Sequence, residues 1–248
     1  MANLALGSDW KLVWSDEFNG RTIDSTKWVP CERGKSDWNN TMTRDPRCFR
    51  IGSGTLRLIG MANPDKTRDP SPFLTGGITS KGKFEFKHGK IEIRARFKSA
   101  RGAWPALWML GVNGRWPGNG EIDLMEHLNF DDKVYQTIHS SYTHSPAGKD
   151  GPPKGTTAPV KRDDWNTYGA EWDSEKIVFL VNGKPTMTYP KVPEKGPGQW
   201  PFDQPFYLIF SMQIGGNWVG PADPKDYPAY LEIDWVRVHQ KAADASQR

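Results

Sequence analysis

The sequence predicts an all-β fold, two antiparallel sheets packed face to face, and three observations carry the prediction. Short runs alternating apolar and polar residues recur along the chain, the period of a half-buried strand. Turn formers are abundant, 25 Gly and 20 Pro in 248 residues with no triplet period, as many short strands require. No amphipathic helix of any length separates the runs, which removes the crossovers of a βαβ architecture.

TLRLIG, from Thr55, is the first clear run. In KFEFKHGKIEIRARF, Phe84 and Phe86 precede His88-Gly89, after which Ile91, Ile93, Ala95 and Phe97 alternate with Glu92, Arg94, Arg96 and Lys98. That pattern reads as a hairpin with its turn at His88-Gly89. VYQTIHSSY follows, and KIVFLVNGKPTMTY sets Asn182-Gly183 between two β-rich runs, the strongest short-range hairpin signal. PFYLIFSMQIGG and YLEIDWVRVHQ complete the set. The Pro/Gly/Lys-rich stretch 145–161 has similar strand patterns on both sides, so it is expected to be a long surface loop rather than an interdomain linker. One domain over 8–240 is expected, with 1–7 and 241–248 as flexible ends.

Composition narrows the function. A net charge of +4, spread along the chain, demands neither nucleic acid nor anionic membrane as a partner. No segment approaches the apolar length of a membrane span. MANLALGSDW has neither the basic segment nor the apolar run of a signal peptide, which leaves a cytosolic protein or the mature part of an exported one. The second is preferred, placing the chain as secreted, periplasmic or at the cell surface. Cys31 and Cys48 have no metal or redox spacing and are compatible with one loop disulfide or two thiols. Twelve Trp exceed ordinary core use, and their broad faces suit flat ligands as well.

The chemistry sits in GEIDLMEH, where Glu121, Asp123 and Glu126 are interleaved with Ile122, Leu124 and Met125. A helix would spread the three carboxylates in azimuth. A regular strand would put Glu121 and Asp123 on one face and Glu126 on the other. One β-bulge at Leu124-Met125 restores Glu126 to the face of its partners. The outer glutamates then lie about 13 Å apart at Cα, at about 3.3 Å per strand step, close enough for their carboxyls to lean to the roughly 5–5.5 Å separation of a retaining glycosidase. Clustered carboxylates raise one another's pKa for little structural gain, which favours a functional reading over a solvated strand face.

GEIDLMEH resembles the ExDxxE signature of glycoside hydrolase family sixteen, which includes laminarinases, mixed-linkage glucanases, agarases and κ-carrageenases. LVWSDEFNG, ITSKGKFEFKHGKIEIRARF, WPALWML, YGAEWDSEKIVFLVNGK, PFYLIFSMQIGGNW and IDWVRVHQ resemble further family segments in the same order. The resemblance implies a concanavalin-like jelly roll with a substrate cleft on its concave sheet. It implies Glu121 as nucleophile, Glu126 as general acid/base and Asp123 as the auxiliary carboxylate between them, with no cofactor for catalysis.

Trp116 and Trp218 are cleft candidates because loop aromatics have little core to fill. Trp104 and Trp108, four apart in WPALW, share a face if that segment is regular strand, and are divided between core and cleft. By resemblance, Glu92 and Arg94 of Gly-x-x-Glu-x-Arg bind sugar hydroxyls, His139 stands beside the catalytic carboxylates, and Asn39 and Gln213 line the cleft. His127 is expected to face away. Glu17 and Asp234 resemble a structural calcium pair, for which oxygen ligands are suited. The expected activity is retaining endo-hydrolysis of β-1,3 or mixed β-1,3/1,4-glucan by a monomer whose partner is the polysaccharide. The alternatives are an agarase- or carrageenase-like galactan hydrolase and a non-catalytic glucan-binding lectin.

Overall fold

Residues 10–241 are described by a computed structural model. Of the expected flexible ends, 1–7 and 242–248 lie outside the described residues, whereas Lys241 closes the last strand. In chain order the strands are β1 (Trp10–Asp16), β2 (Val29–Pro30), β3 (Phe49–Gly52), β4 (Thr55–Ala62), β5 (Phe73–Thr75), β6 (Gly77–Thr79), β7 (Glu85–Phe86), β8 (Gly89–Lys98) and β9 (Ala103–Gly111). They continue as β10 (Glu121–Glu126), β11 (Lys133–His139), β12 (Gly155–Pro159), β13 (Asn166–Trp172), β14 (Lys176–Val181), β15 (Lys184–Pro190), β16 (Phe206–Ile214) and β17 (Ala229–Lys241). Among the described residues, helix is limited to short 3-10 turns.

Two antiparallel sheets result, as predicted. One is nine-stranded, ordered β15-β14-β13-β8-β17-β4-β3 with β1 and β5 attached; the other is eight-stranded, ordered β12-β11-β10-β9-β16-β6-β2 with β7 attached. Ile91, Ile93, Ala95 and Phe97 of β8 share one buried cluster with Leu107 and Met109 of β9 and Leu208, Phe210 and Met212 of β16. Burying each of these Ile, Leu, Met and Phe side chains contributes about 1.5–3 kcal/mol. The period-two alternation then aims the intervening residues outward, Glu92, Arg94 and Arg96 from the nine-stranded sheet and Trp104 and Trp108 from the eight-stranded one. A second, smaller cluster lies on the eight-stranded sheet's outward side, where Cys31 and Met42 pack on Ala106, Trp108, Tyr207 and Ile209.

The Asn182-Gly183 hairpin forms as expected, with φ of 52° and 72° at its two turn residues. The hairpin expected at His88-Gly89 does not. β7 pairs with β16 in one sheet, whereas β8 pairs with β13 and β17 in the other. The bend is real, with His88 at φ 59°, but it carries the chain across the core: Phe86 meets Trp172 at 5.8 Å between ring centres, and Gly89 sits where a Cβ would fall 2.5 Å from the His239 carbonyl oxygen. Apolar burial between sheets decided the partner, and local alternation does not encode it. Part of the expected 145–161 loop is also strand, since β12 adds to the edge beside β11; its Thr-Thr-Ala centre suits a strand, and Pro is tolerated at such an edge.

Cys31 and Cys48 are separate buried thiols, each pushed up to about 12 chiefly by burial.

Candidate active site

β10 contains the expected bulge. Against β9 the register runs Asp123 to Trp108 and then Met125 to Leu107, and against β11 it shifts between Asp123 and Glu126. The extra residue returns Glu126 to the outward side, while Ile122, Leu124 and Met125 are all core. A cavity of about 360 Å³ is lined by Glu121, Asp123, Glu126 and Gln213 together with Trp104, Trp108 and Trp116. The β9–β16 register is unbroken, which puts Trp104 and Trp108 on the same outward face.

Each carboxylate has a different environment. Glu121 Oε2 accepts the indole N–H of Trp116 at 2.6 Å. Glu126 Oε1 accepts that of Trp104 at 2.9 Å. Asp123, 2% exposed, faces His139 Nε2 at 3.1 Å, and the same nitrogen is 4.0 Å from Glu121 Oε1. Burial raises all three above the ordinary carboxylate range; for Glu121 the Asp123 charge adds to the rise, and for Asp123 the Glu126 charge does. Glu126 reaches about 7, burial outweighing the Trp104 hydrogen bond. The cluster therefore retains protons near neutrality, Glu126 among the groups that hold one.

Trp116 and Trp218 are half exposed, and Trp218 stands edge-on to Trp104 at 5.4 Å and to Tyr135 at 5.2 Å. Gln213 is buried and donates to Ser211 Oγ, which also receives the Trp108 indole N–H. Asn39 lines an adjoining hollow of about 490 Å³ that shares Trp38 and Leu110 with the carboxylate-lined cavity. His127 faces away as expected, stacked on Phe97 at 4.2 Å.

Glu92 and Arg94 are not brought to this site. They project from the opposite sheet, where Arg94 pairs with Asp234 and lies over the Trp165 ring, and Glu92 is 3.3 Å from Lys90 Nζ. Alternation fixed their outward direction but not their sheet. The calcium pair does not fit either: Glu17 is gripped by both forks of Arg237 at 2.9 and 2.8 Å, holding its carboxyl below the usual range, and Asp234 is taken by Arg94. A dication would have to displace two guanidinium groups.

Sequence reasoning missed Trp38, whose ring meets Trp108 edge-on at 5.0 Å, although it is a loop aromatic beside Asn39. It also missed His144, whose Nε2 is 2.8 Å from His139 Nδ1 and whose ring packs on Trp116 at 4.8 Å. Nothing in HSSYTHSP marks that histidine as pointing back along its own loop.

The family model for glycosyl hydrolases family 16 matches residues 37–237. The chain is 39% identical to a keratan-sulfate endo-1,4-beta-galactosidase of Sphingobacterium multivorum, matching 94% of this chain and 56% of that protein, so it spans little more than half of that relative. It is 36% identical to a beta-glucanase of Rhodothermus marinus, over 95% of this chain and 89% of that one. The structure of the laminarinase from Rhodothermus marinus superposes with a TM-score of 0.83 at 36% identity, covering 93% of this chain and 97% of the other.

Proposed function

Because the chain belongs to glycosyl hydrolase family 16, we propose that it is a retaining endo-β-glucanase cleaving β-1,3 or mixed β-1,3/1,4-glucan. The observation that carries the reading is the bulged strand, which aims Glu121, Asp123 and Glu126 together into a tryptophan-lined cavity. Flat indole faces suit the apolar faces of glucose rings. The likeness to beta-glucanase and laminarinase over nearly their full lengths supports glucan as the polymer.

Glu121, whose anionic form the His139 imidazole and the Trp116 N–H favour against burial, attacks the anomeric carbon. Glu126, still protonated near neutrality, gives its proton to the glycosidic oxygen as the bond to the leaving sugar breaks. In the second half Glu126 takes a proton from water, whose oxygen displaces Glu121 from the anomeric carbon with net retention. Asp123, beside Glu121, supports the change of charge on the nucleophile. A polymeric substrate is met outside the cell, which fits export, and we place the active unit as a monomer.

The test is reducing-end release from laminarin, barley mixed-linkage glucan, agarose, κ-carrageenan and keratan sulfate, with Glu121→Ala in parallel. Release from a glucan with a β-configured product, lost in the variant and restored by azide as an α-glycosyl azide, is the expected result. Release only from keratan sulfate or a galactan overturns the glucan assignment. Retardation by a glucan in affinity gels without any cleavage overturns the catalytic one.

A further inference from the structure

Three ligand atoms of different chemistry converge at the cavity floor. One oxygen each from Glu121 and Asp123 and one ring nitrogen of His139 lie within 4.8 Å of one another. Asp123 Oδ2 is buried and receives no hydrogen bond, although His139 Nε2 is only 3.1 Å away. A buried acceptor that receives no hydrogen bond calls for a partner, and a cation between it and the facing ring nitrogen is one.

The outer contacts complete the picture. Trp116 holds Glu121 Oε2, leaving Oε1 turned toward His139, and His144 Nε2 holds His139 Nδ1, leaving Nε2 turned toward the carboxylates. A metal-binding imidazole commonly has its second nitrogen fixed in this way, and a ligating carboxylate its second oxygen. Tetrahedral zinc, with bonds of about 2.0–2.2 Å, needs ligand separations of about 3.4 Å; those from His139 Nε2 to Asp123 Oδ2 and Glu121 Oε1 are 3.1 and 4.0 Å. Two carboxylates and an imidazole suit a borderline transition cation, whereas Ca²⁺ and Mg²⁺ take oxygen ligands in larger number.

We propose that Glu121, Asp123 and His139 form a reversible binding site for a divalent cation of the Zn²⁺ class, with His144 orienting the imidazole, and that occupancy inhibits the enzyme. The cation takes the Glu121 lone pair that would otherwise attack the anomeric carbon, so metal and substrate exclude each other. That the occupied state is an inhibited one rests on the glycosidase reading; the binding itself does not.

The experiment is calorimetric titration of chelator-treated protein with ZnCl₂, alone and with a β-1,3-gluco-oligosaccharide, alongside Co²⁺ visible absorption as a report of coordination geometry. Expected are one Zn²⁺ per chain, a tetrahedral Co²⁺ spectrum, no response to Mg²⁺, and loss of all of these in His139→Gln. His144→Phe, which leaves every ligand in place, weakens binding about 10–100-fold. Weaker Zn²⁺ binding in the presence of the oligosaccharide, and EDTA-reversible inhibition of hydrolysis, support mutual exclusion. Absence of binding, or binding unchanged in His139→Gln with its thermal unfolding intact, overturns the proposal. Zinc held by the trio in a protein that hydrolyses no glycan overturns the inhibitory role and the glycosidase reading while leaving the metal site standing.

Discussion

The outward faces of the two sheets are built by the same alternation of strand residues, and both carry carboxylates among aromatic rings. On and beside the nine-stranded sheet these carboxylates have cations: Glu232 of β17 sits between Arg57 of β4 and Arg96 of β8, Asp234 faces Arg94, and Glu17 faces Arg237. Arg94 and Arg96 in turn lie over Trp165 at 4.7 and 4.6 Å. On the eight-stranded sheet Glu121, Asp123 and Glu126 have indole N–H groups and one histidine, with no Lys or Arg among the described residues lining their cavity. One face neutralises buried charge and the other keeps it available. The difference teaches that charge compensation, rather than carboxylate content, separates a structural face from a reactive one.

The largest expected effect removes a member of the uncompensated set. Glu121→Ala should lower kcat/KM on the glucan by about 10⁴-fold or more, and Glu126→Gln by about 10²–10⁴-fold, measured by reducing-end release. Equal residual rates in both, with no change in pH profile for Glu126→Gln, would contradict their distinct roles.

Stability should respond with opposite sign on the two faces. Glu232 is 2% exposed and its pKa is lowered by Arg57, Arg96 and Thr55 despite burial; Glu232→Ala strands two guanidinium groups and should cost about 2–3 kcal/mol. Its contribution is present above the unfolded-state pKa and is lost as pH falls through the lower folded one. Glu126 is the reverse case. Its folded pKa of about 7 exceeds the unfolded value, so its destabilisation grows as pH rises from about 4.5 and is complete above about 7. Glu126→Gln should therefore gain about 1 kcal/mol at pH 8 while losing activity. Urea unfolding of both variants at pH 5 and 8 checks the two signs together.

A finer effect lies in the pH profile. kcat/KM should fall as pH rises through about 7, where Glu126 loses the proton it donates. The Trp104 N–H favours the Glu126 anion, so Trp104→Phe should move that alkaline limb to higher pH. A limb that stays in place would assign it to another group.

How far the sequence revealed this contrast depends on which physical information was local. The strands, the Asn182-Gly183 turn and the bulge between Asp123 and Glu126 follow from side-chain period and turn chemistry within a few residues. The sheet to which a strand belongs does not: β7 and β8 read as one hairpin, yet Phe86 and Ile91 join the core from opposite sheets. Resemblance sent Glu92 and Arg94 to the cleft, while alternation set only their outward direction and left their sheet open. Carboxylate spacing located β10, but the partners Asp234 and Arg237 that neutralise the other face are 140 and 220 residues from Arg94 and Glu17, beyond any pattern in one segment. His144 was invisible for a related reason, since a histidine's partner depends on how the intervening loop folds back.

The smallest expected effect tests the reassigned pair. Arg94 has a side chain 38% exposed, so its ion pair with Asp234 is screened by water, and Arg94→Ala should cost under about 1 kcal/mol, with part of that loss coming from the Trp165 stacking rather than the charge. The variant should hydrolyse glucan with unchanged kcat and KM, because the two-sheet core separates Arg94 from Glu121. High salt should reduce the stability difference between variant and parent, as screening weakens an exposed pair. A rise in KM of tenfold or more would restore Arg94 to sugar binding and would mean that the face it occupies is not the purely structural one that its compensated charges indicate.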